Sequence, residues 1–220
     1  DPVKLKAVIF DLDGTLLDTL DDIADAVNQV LTDRGMKPHN RAAYRWFIGD
    51  GSRVLVRRAL PEECRGDAEV DDCLAAFREH YARNWHRRTR PYEGIPRLVA
   101  MLQSAGTKMA VVSNKPHHLT ETCCRHYFPN RPFDFILGQE EGRPIKPDPY
   151  PALQAATHLR MPPSDCLFLG DSGVDIETAR RAGMFPVGAL WGFRRRDELE
   201  VAGAAACIDH PLDLLKWLDD

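Results

Sequence analysis

The stretch Ala7-Val8-Ile9-Phe10-Asp11-Leu12-Asp13-Gly14-Thr15-Leu16 decides how this 220-residue chain is read. Four apolar residues in a row match a strand buried on both faces, the kind that parallel sheets contain. The run ends abruptly on two carboxylates, Asp11 and Asp13, followed by Gly14-Thr15. Two carboxylates this close repel each other, so the pair adds little to folding unless a cation binds between them. At the end of a buried strand, that pattern points to a metal and a nucleophile. Asp-Gly is also a common turn dipeptide, and Asp13-Gly14 alone would read as a turn.

Three further polar clusters follow strand-like runs and remove that bland reading. Ser113-Asn114-Lys115 follows Met109-Ala110-Val111-Val112. Lys146-Pro147-Asp148-Pro149 lies in the loop after residues 133–138. Gly170-Asp171-Ser172-Gly173-Val174-Asp175 follows Cys166-Leu167-Phe168-Leu169. In a parallel α/β sheet the carboxyl ends of the strands share one edge, and ligands bind there. The four clusters are therefore expected to meet in space.

Residues 18–88 show no strand pattern. A helix is expected over 18–34, with Ile23, Val27, Val30 and Leu31 on one face, Asp18 or Thr19 as cap, and Asp21 and Asp22 favouring its N-terminal end. Asn40 can cap a second helix reaching Ile48, and the Gly49-Asp50-Gly51-Ser52 turn leads to a third. A long helix over 67–88 buries Val70, Leu74, Phe77, Tyr81 and Trp85. Helices over 95–105, 119–127, 150–160 and 174–182 then alternate with strands over 108–112, 133–138, 166–169 and 185–190. A last strand near 206–208 and a helix near 212–218 close the chain. The expected architecture is α/β: a Rossmann-like parallel sheet with helices on both faces, residues 1–17 and 89–220, and an inserted all-helical cap domain, residues 18–88.

The formal net charge is only −4 with both signs mixed, so no basic face is implied and nucleic acid is not an expected partner. No apolar run is long enough to span a membrane, and no signal-peptide pattern precedes the first strand, although the chain starts at Asp1 without Met. The six cysteines, Cys64, Cys73, Cys123, Cys124, Cys166 and Cys207, form no C-x-x-C pair. They read as reduced core residues, with neither a zinc site nor a disulfide framework expected. A cytoplasmic location fits best.

The order and content of the four clusters resemble the haloacid dehalogenase superfamily of phosphotransferases over the whole chain. Within it the chain looks most like the phosphoglycolate phosphatases, on Arg45-Trp46-Phe47-Ile48-Gly49-Asp50-Gly51, Arg90-Pro91-Tyr92-Glu93-Gly94 and Asn114-Lys115-Pro116. The resemblance implies a phosphomonoesterase working through an aspartyl-phosphate on Asp11. An anionic carboxylate must then approach an anionic phosphate, and Mg²⁺ relieves that repulsion in a site made of oxygen ligands. By the same resemblance, the Mg²⁺ ligands are the Asp11 carboxylate, the Asp13 backbone carbonyl and the Asp171 carboxylate. Asp175 orients Lys146 or a metal water. Asp13 is the general acid–base, which argues for phosphoryl chemistry over carbon–halogen cleavage. Ser113 and the Asn114 backbone bind phosphoryl oxygens, Lys146 bridges Asp11 and the phosphoryl group, and Gly14 and Thr15 turn the backbone towards the phosphate.

Substrate choice falls to the cap. Gly51 and Arg53, in the loop between two cap helices, are the candidates for a second anion. The expected partner is a small phosphorylated metabolite, 2-phosphoglycolate first, then another small phosphoester or pyrophosphate. A phosphomutase on the same scaffold is a rival reading, but no proton-shuttling cap residue stands after Asp18, where Thr19-Leu20-Asp21 lies. A catalytically silent domain is disfavoured by the intact set of Asp11, Asp13, Ser113, Lys146, Asp171 and Asp175. The chain is expected to act as a monomer or homodimer. Lys115 reads as a solvated helix-start residue outside the site, and His117 and His118 as capping or surface residues. Trp191-Gly192-Phe193 follows a strand at the pocket rim, with Arg194-Arg195-Arg196 a solvated turn.

Overall fold

The computed structural model describes residues 5–218. The first strand, β1 (Ala7–Phe10), is completely buried along its length. It leads through a short β2 (Leu17–Asp18) to four α-helices: α1 (Leu20–Asp33), α2 (Arg41–Phe47), α3 (Ser52–Ala59) and α4 (Asp67–Asn84), with a 3₁₀ turn at Glu62–Cys64 before the last. The chain returns through β3 (Arg90–Pro91) and then alternates: α5 (Ile95–Ser104), β4 (Lys108–Pro116), α6 (His117–Tyr127), β5 (Phe135–Gln139), α7 (Tyr150–Leu159), β6 (Cys166–Gly170), α8 (Gly173–Arg181), β7 (Phe185–Ala189), α9 (Arg196–Ala202) and β8 (Ala206–Ile208). The closing helix, Pro211–Trp217, is a 3₁₀ helix, and the His210 ring nitrogen accepts the Leu212 N–H at its start. The chain divides into two compact units, Asp1–Leu17 with Pro91–Asp220, and Asp18–Arg90.

The six-stranded sheet of the first unit is parallel throughout, in the order β5-β4-β1-β6-β7-β8. Phe10 stands level with Val111 of β4 and Leu169 of β6. The residues that follow, Asp11, Ser113 and Asp171, therefore leave the sheet at one edge. From β1 the chain runs outward to β4 and β5, then crosses to the far side of β1 to enter β6. That reversal opens a crevice at the carboxyl end of β1, where open α/β sheets bind ligands. Alternation along the strands puts Ala7, Ile9, Ala110, Val112 and Phe168 into one buried layer with Ala152, Ala155, Ala156 and Leu159 of α7. The alanines let α7 pack close to the sheet.

In the second unit α1 and α3 pack on α4. Val70, Cys73, Leu74, Phe77 and Tyr81 are buried, and the Phe77 and Tyr81 rings stack. Helix α4 ends at Asn84, short of the expected residue 88, and leaves Trp85 only half-buried. Asn40 caps α2 by accepting the Ala43 N–H at 3.0 Å. Thr19 occupies the cap position of α1, but its side chain makes no capping bond. Asp22 does more than favour a helix end. It is 2% exposed, and its Oδ2 accepts the Arg88 N–H at 2.9 Å, the Thr89 N–H at 2.8 Å and the Thr89 hydroxyl at 2.8 Å.

All six cysteines are free thiols. Burial pushes Cys123 and Cys166 up to about 11, so both stay protonated and serve as packing groups. Among the described residues no helix is long and apolar enough to cross a membrane.

Candidate active site

Asp11, Asp171 and Asp175 come together at the carboxyl edge, each with a ligand oxygen within 4.8 Å of the others. Lys146 reaches into this cluster from the loop after β5. Its Nζ lies 2.8 Å from Asp11 Oδ1 and 2.6 Å from Asp175 Oδ1, and the residue is 3% exposed. Burial works against its ammonium, but Asp11 and then Asp175 outweigh it and hold its pKa above the ordinary range. Its backbone is pinned on both sides by Asn114, whose Oδ1 accepts the Lys146 N–H and whose Nδ2 donates to the Lys146 carbonyl, each at 2.9 Å. The Asn114 side chain is thus committed to holding Lys146.

The two aspartates closest to the strand ends are electrostatically uncomfortable. Burial, then Asp175, pushes Asp11 well above the usual carboxylate range, with Lys146 opposing. Burial and then Asp175 raise Asp171 to about 7, against the Phe193 N–H and the Arg194 charge. Three carboxylates crowd around one ammonium here, so the buried cluster carries an excess of negative charge. Such a cluster is costly unless it coordinates a cation. With all three carboxylates supplying oxygen, the donor set fits a hard divalent ion. Asp175 is the least available of the three. Its Oδ1 takes Lys146, while its Oδ2 accepts the Ser172 N–H at 3.1 Å and the Ser172 hydroxyl at 2.8 Å.

Asp171 is held by a cradle that only glycine allows. A Cβ on Gly14 would lie 2.3 Å from Asp171 Oδ2, and Gly14 sits at φ +89°. A Cβ on Gly192 would lie 2.3 Å from both Asp171 Cβ and the Gly14 carbonyl. The Phe193 N–H donates to Asp171 Oδ2 at 2.7 Å, and Trp191 Nε1 donates to the Thr15 carbonyl at 2.9 Å. The loop after β7 therefore builds the site through backbone and glycine, which a search for reactive side chains passes over. Thr15 is fully buried and its hydroxyl donates to Asp171 Oδ1 at 3.2 Å, so it supports the aspartate.

The sequence expectation for Lys115 is corrected. Strand β4 continues through residues 113–116 with a break in register after Val112, so Lys115 belongs to a strand and not to a helix start. Its side chain is 4% exposed, and its Nζ lies 3.0 and 3.2 Å from the two Asp13 oxygens. Burying an ammonium demands such a partner. Ser113 Oγ accepts the Lys115 N–H at 3.2 Å, which leaves its hydroxyl proton to be donated elsewhere. His117 Nδ1 accepts the Gly138 N–H at 3.2 Å and His118 is exposed. Arg195 and Arg196 are exposed, whereas the Arg194 side chain is only 9% exposed and pairs with Glu198.

In the second unit, Gly51 precedes α3 at φ +88°, and Arg53 lies in the first turn of that helix. The Arg53 guanidinium is bound to Asp67 at 2.9 Å and to Asp71. Its charge is balanced within the unit. Arg58 donates to the Trp46 and Phe47 carbonyls and pairs with Asp50 at 2.6 Å, which ties down the loop before α3.

The family model for haloacid dehalogenase-like hydrolases matches residues 8–189, and the chain belongs to that family. It is similar to a phosphoglycolate phosphatase of Aquifex aeolicus, 33% identical over 216 residues that cover 98% of each chain. It is equally similar to an N-acetylmuramic acid 6-phosphate phosphatase of Pseudomonas aeruginosa, 33% identical over 218 residues covering 99% of this chain and 96% of the relative. A solved structure from Lactobacillus delbrueckii subsp. bulgaricus, provisionally assigned as a phosphoglycolate phosphatase, matches with a TM-score of 0.92 and 33% identity over 99% of this chain and 100% of that one. The protein is accordingly an enzyme, a hydrolase of the phosphatase type that resembles the phosphoglycolate phosphatases.

Proposed function

We propose that the protein is a Mg²⁺-dependent phosphomonoesterase that hydrolyses 2-phosphoglycolate to glycolate and phosphate through an aspartyl-phosphate. The observation that carries the mechanism is that Asp11 and Asp13 leave one strand with separate ammonium partners, Lys146 and Lys115. One carboxylate is thereby free to serve as nucleophile while the other handles protons. The Asp11 carboxylate attacks phosphorus, the bond to the leaving oxygen breaks, and protonated Asp13 gives its proton to that oxygen. Water then attacks phosphorus, Asp13 takes the proton, and the bond to Asp11 breaks to release phosphate. Lys146 stays cationic throughout and stabilises the charge on the phosphoryl oxygens, which the Ser113 hydroxyl also meets.

Mg²⁺ would be held by the carboxylates of Asp11 and Asp171 and the Asp13 carbonyl, where it screens nucleophile from phosphate. Asp175, whose Oδ1 holds the Lys146 ammonium while its Oδ2 takes two hydrogen bonds from Ser172, suits the role of orienting Lys146. The unit Asp18–Arg90 is the substrate-selecting cap in this reading. Six free thiols and a magnesium enzyme fit a cytoplasmic setting.

2-Phosphoglycolate is favoured because three relatives, matched over 80–98% of their own length at 33–34% identity, carry that activity in their names. The second reading, N-acetylmuramic acid 6-phosphate, rests on a relative of equal similarity. Phosphate release with Mg²⁺ from both compounds, sugar phosphates, nucleoside monophosphates and pyrophosphate decides between them. A kcat/KM for 2-phosphoglycolate well above the rest supports the first reading. Preference for the muramic acid ester replaces it, and a flat profile removes both substrate assignments.

A further inference from the structure

We infer that Lys115 is a positioning residue for the reaction, fixing the Asp13 carboxylate in the orientation from which it exchanges a proton with the leaving group. This rests on the acid–base reading of Asp13 proposed above. A lone ammonium–carboxylate contact through one oxygen leaves the carboxylate free to turn. Here a single Nζ lies 3.0 Å from Oδ1 and 3.2 Å from Oδ2, so both oxygens are tethered to one cation and the carboxylate end is held in place.

The mount behind that ammonium is rigid. The Lys115 N–H donates to Ser113 Oγ at 3.2 Å, and the Lys115 carbonyl accepts the Thr120 hydroxyl at 3.1 Å. Pro116 follows, which restricts Lys115 to extended backbone. On the β5 side, a Cβ at Gly138 would lie 2.6 Å from the Lys115 carbonyl, so the neighbouring strand presses directly on this peptide. The lysine is thus locked to the same segment that carries Ser113. One piece of β4 offers a hydroxyl to the phosphoryl group and aims the proton-transfer carboxylate. A charge buried this deeply and held this firmly is hard to explain by solubility or surface packing, and its carboxylate partner stands two residues from the nucleophile.

Proton donation matters most when the leaving oxygen is basic. Phenyl phosphate and p-nitrophenyl phosphate have nearly the same shape and no second anion, but phenoxide is the poorer leaving group. For both, kcat/KM reports the first chemical step. Lys115→Met is expected to lower kcat/KM for phenyl phosphate by about 10²-fold, the scale of a misplaced catalytic group. For p-nitrophenyl phosphate the loss should be roughly tenfold smaller, because protonation helps that ester less. Lys115→Gln, which keeps a donor on a side chain one atom shorter, guards against a folding defect in the methionine variant and should show the same ordering with smaller losses. Asp13→Asn is the control, with a larger selective loss of the same kind. Equal losses on the two esters in both Lys115 variants, or no loss, beside a selective loss in Asp13→Asn, would overturn the inference. A non-selective Asp13→Asn would instead sink the acid–base reading and the inference with it.

Discussion

Charge is handled in opposite ways at the sheet edge and around Arg53 in the helical unit. At the sheet edge, Lys146, Asp11 and Asp175 have side chains only 2%, 11% and 1% exposed, and Lys146 serves two carboxylates at once. In the helical unit, Arg53, Asp67 and Asp71 are 40%, 79% and 62% exposed. Pairs of the second kind are worth about 0–1 kcal/mol, because water screens them and long side chains lose freedom in making them. Groups of the first kind give little back in stability for what their desolvation costs. Their presence in the interior is therefore better explained by chemistry than by folding, whereas the pairs in the helical unit decorate a surface.

Substitution can break that contrast, starting where the largest effect is expected. Asp11→Asn should lower turnover on the order of 10⁴-fold or more, as loss of a nucleophile does. Melting in chelator should show no loss of stability, since one of three crowded carboxylates has gone. Wild-type turnover in that variant would refute the nucleophile assignment. Lys146→Met should destabilise the metal-free protein by about 3–5 kcal/mol in urea titration, because the carboxylates lose their ammonium. A midpoint unchanged in chelator would show that the cluster does not depend on it. Gly192→Ala should cost about 1–3 kcal/mol, the usual range for overpacking, and lower activity by displacing Asp171. Unchanged melting and kinetics would mean the loop after β7 can yield.

The metal-free cluster also has a pH signature. Asp171 is raised above its unfolded value of 3.8 to about 7, so its contribution to stability is fully present below 3.8 and is lost as pH rises through 7. Thermal melts in chelator should therefore move upward as pH falls from 8 to 6. Saturating Mg²⁺ should flatten that slope, and an identical slope with and without the ion would argue against a cation at Asp171. Smallest of all, Arg53→Ala should change stability by less than about 1 kcal/mol. It should also leave kcat/KM for the preferred substrate within a few-fold. A much larger drop in kcat/KM would mean that Arg53 leaves Asp67 and Asp71 to meet a substrate anion.

The elements of the sheet were legible because a strand buried on both faces must be apolar throughout, and runs such as Cys166-Leu167-Phe168-Leu169 leave little else to be. The gathering of Asp11, Ser113, Lys146, Asp171 and Asp175 at one edge followed from parallel topology. Strand order did not, since nothing local in β5 or β8 names its neighbour. What escaped at the site was whatever works through backbone or through a partner far along the chain. Lys115 looks like any lysine beside a proline until Asp13 is brought to it across 102 residues. Gly192 and Phe193 contribute an absent side chain and an N–H, and neither carries a chemical label. Thr15 and Asn114 stand out in the sequence as phosphate-binding candidates, but their side-chain bonds, to Asp171 and to Lys146, depend on distances that sequence does not hold.

Asp22 gives the helical unit a clasp. By gathering the backbone of Arg88 and Thr89 beside the start of α1, it joins the two ends of the segment to each other inside the segment itself. To the sheet, everything from residue 18 to residue 90 then behaves as a tight turn between β1 and β4, whatever its contents. Chain length added inside a loop costs little once its ends are fixed. A clasped insertion is in that sense a replaceable part: its helices and their connecting loops can diverge, lengthen or be exchanged while the strands that carry Asp11 and Ser113 keep their register.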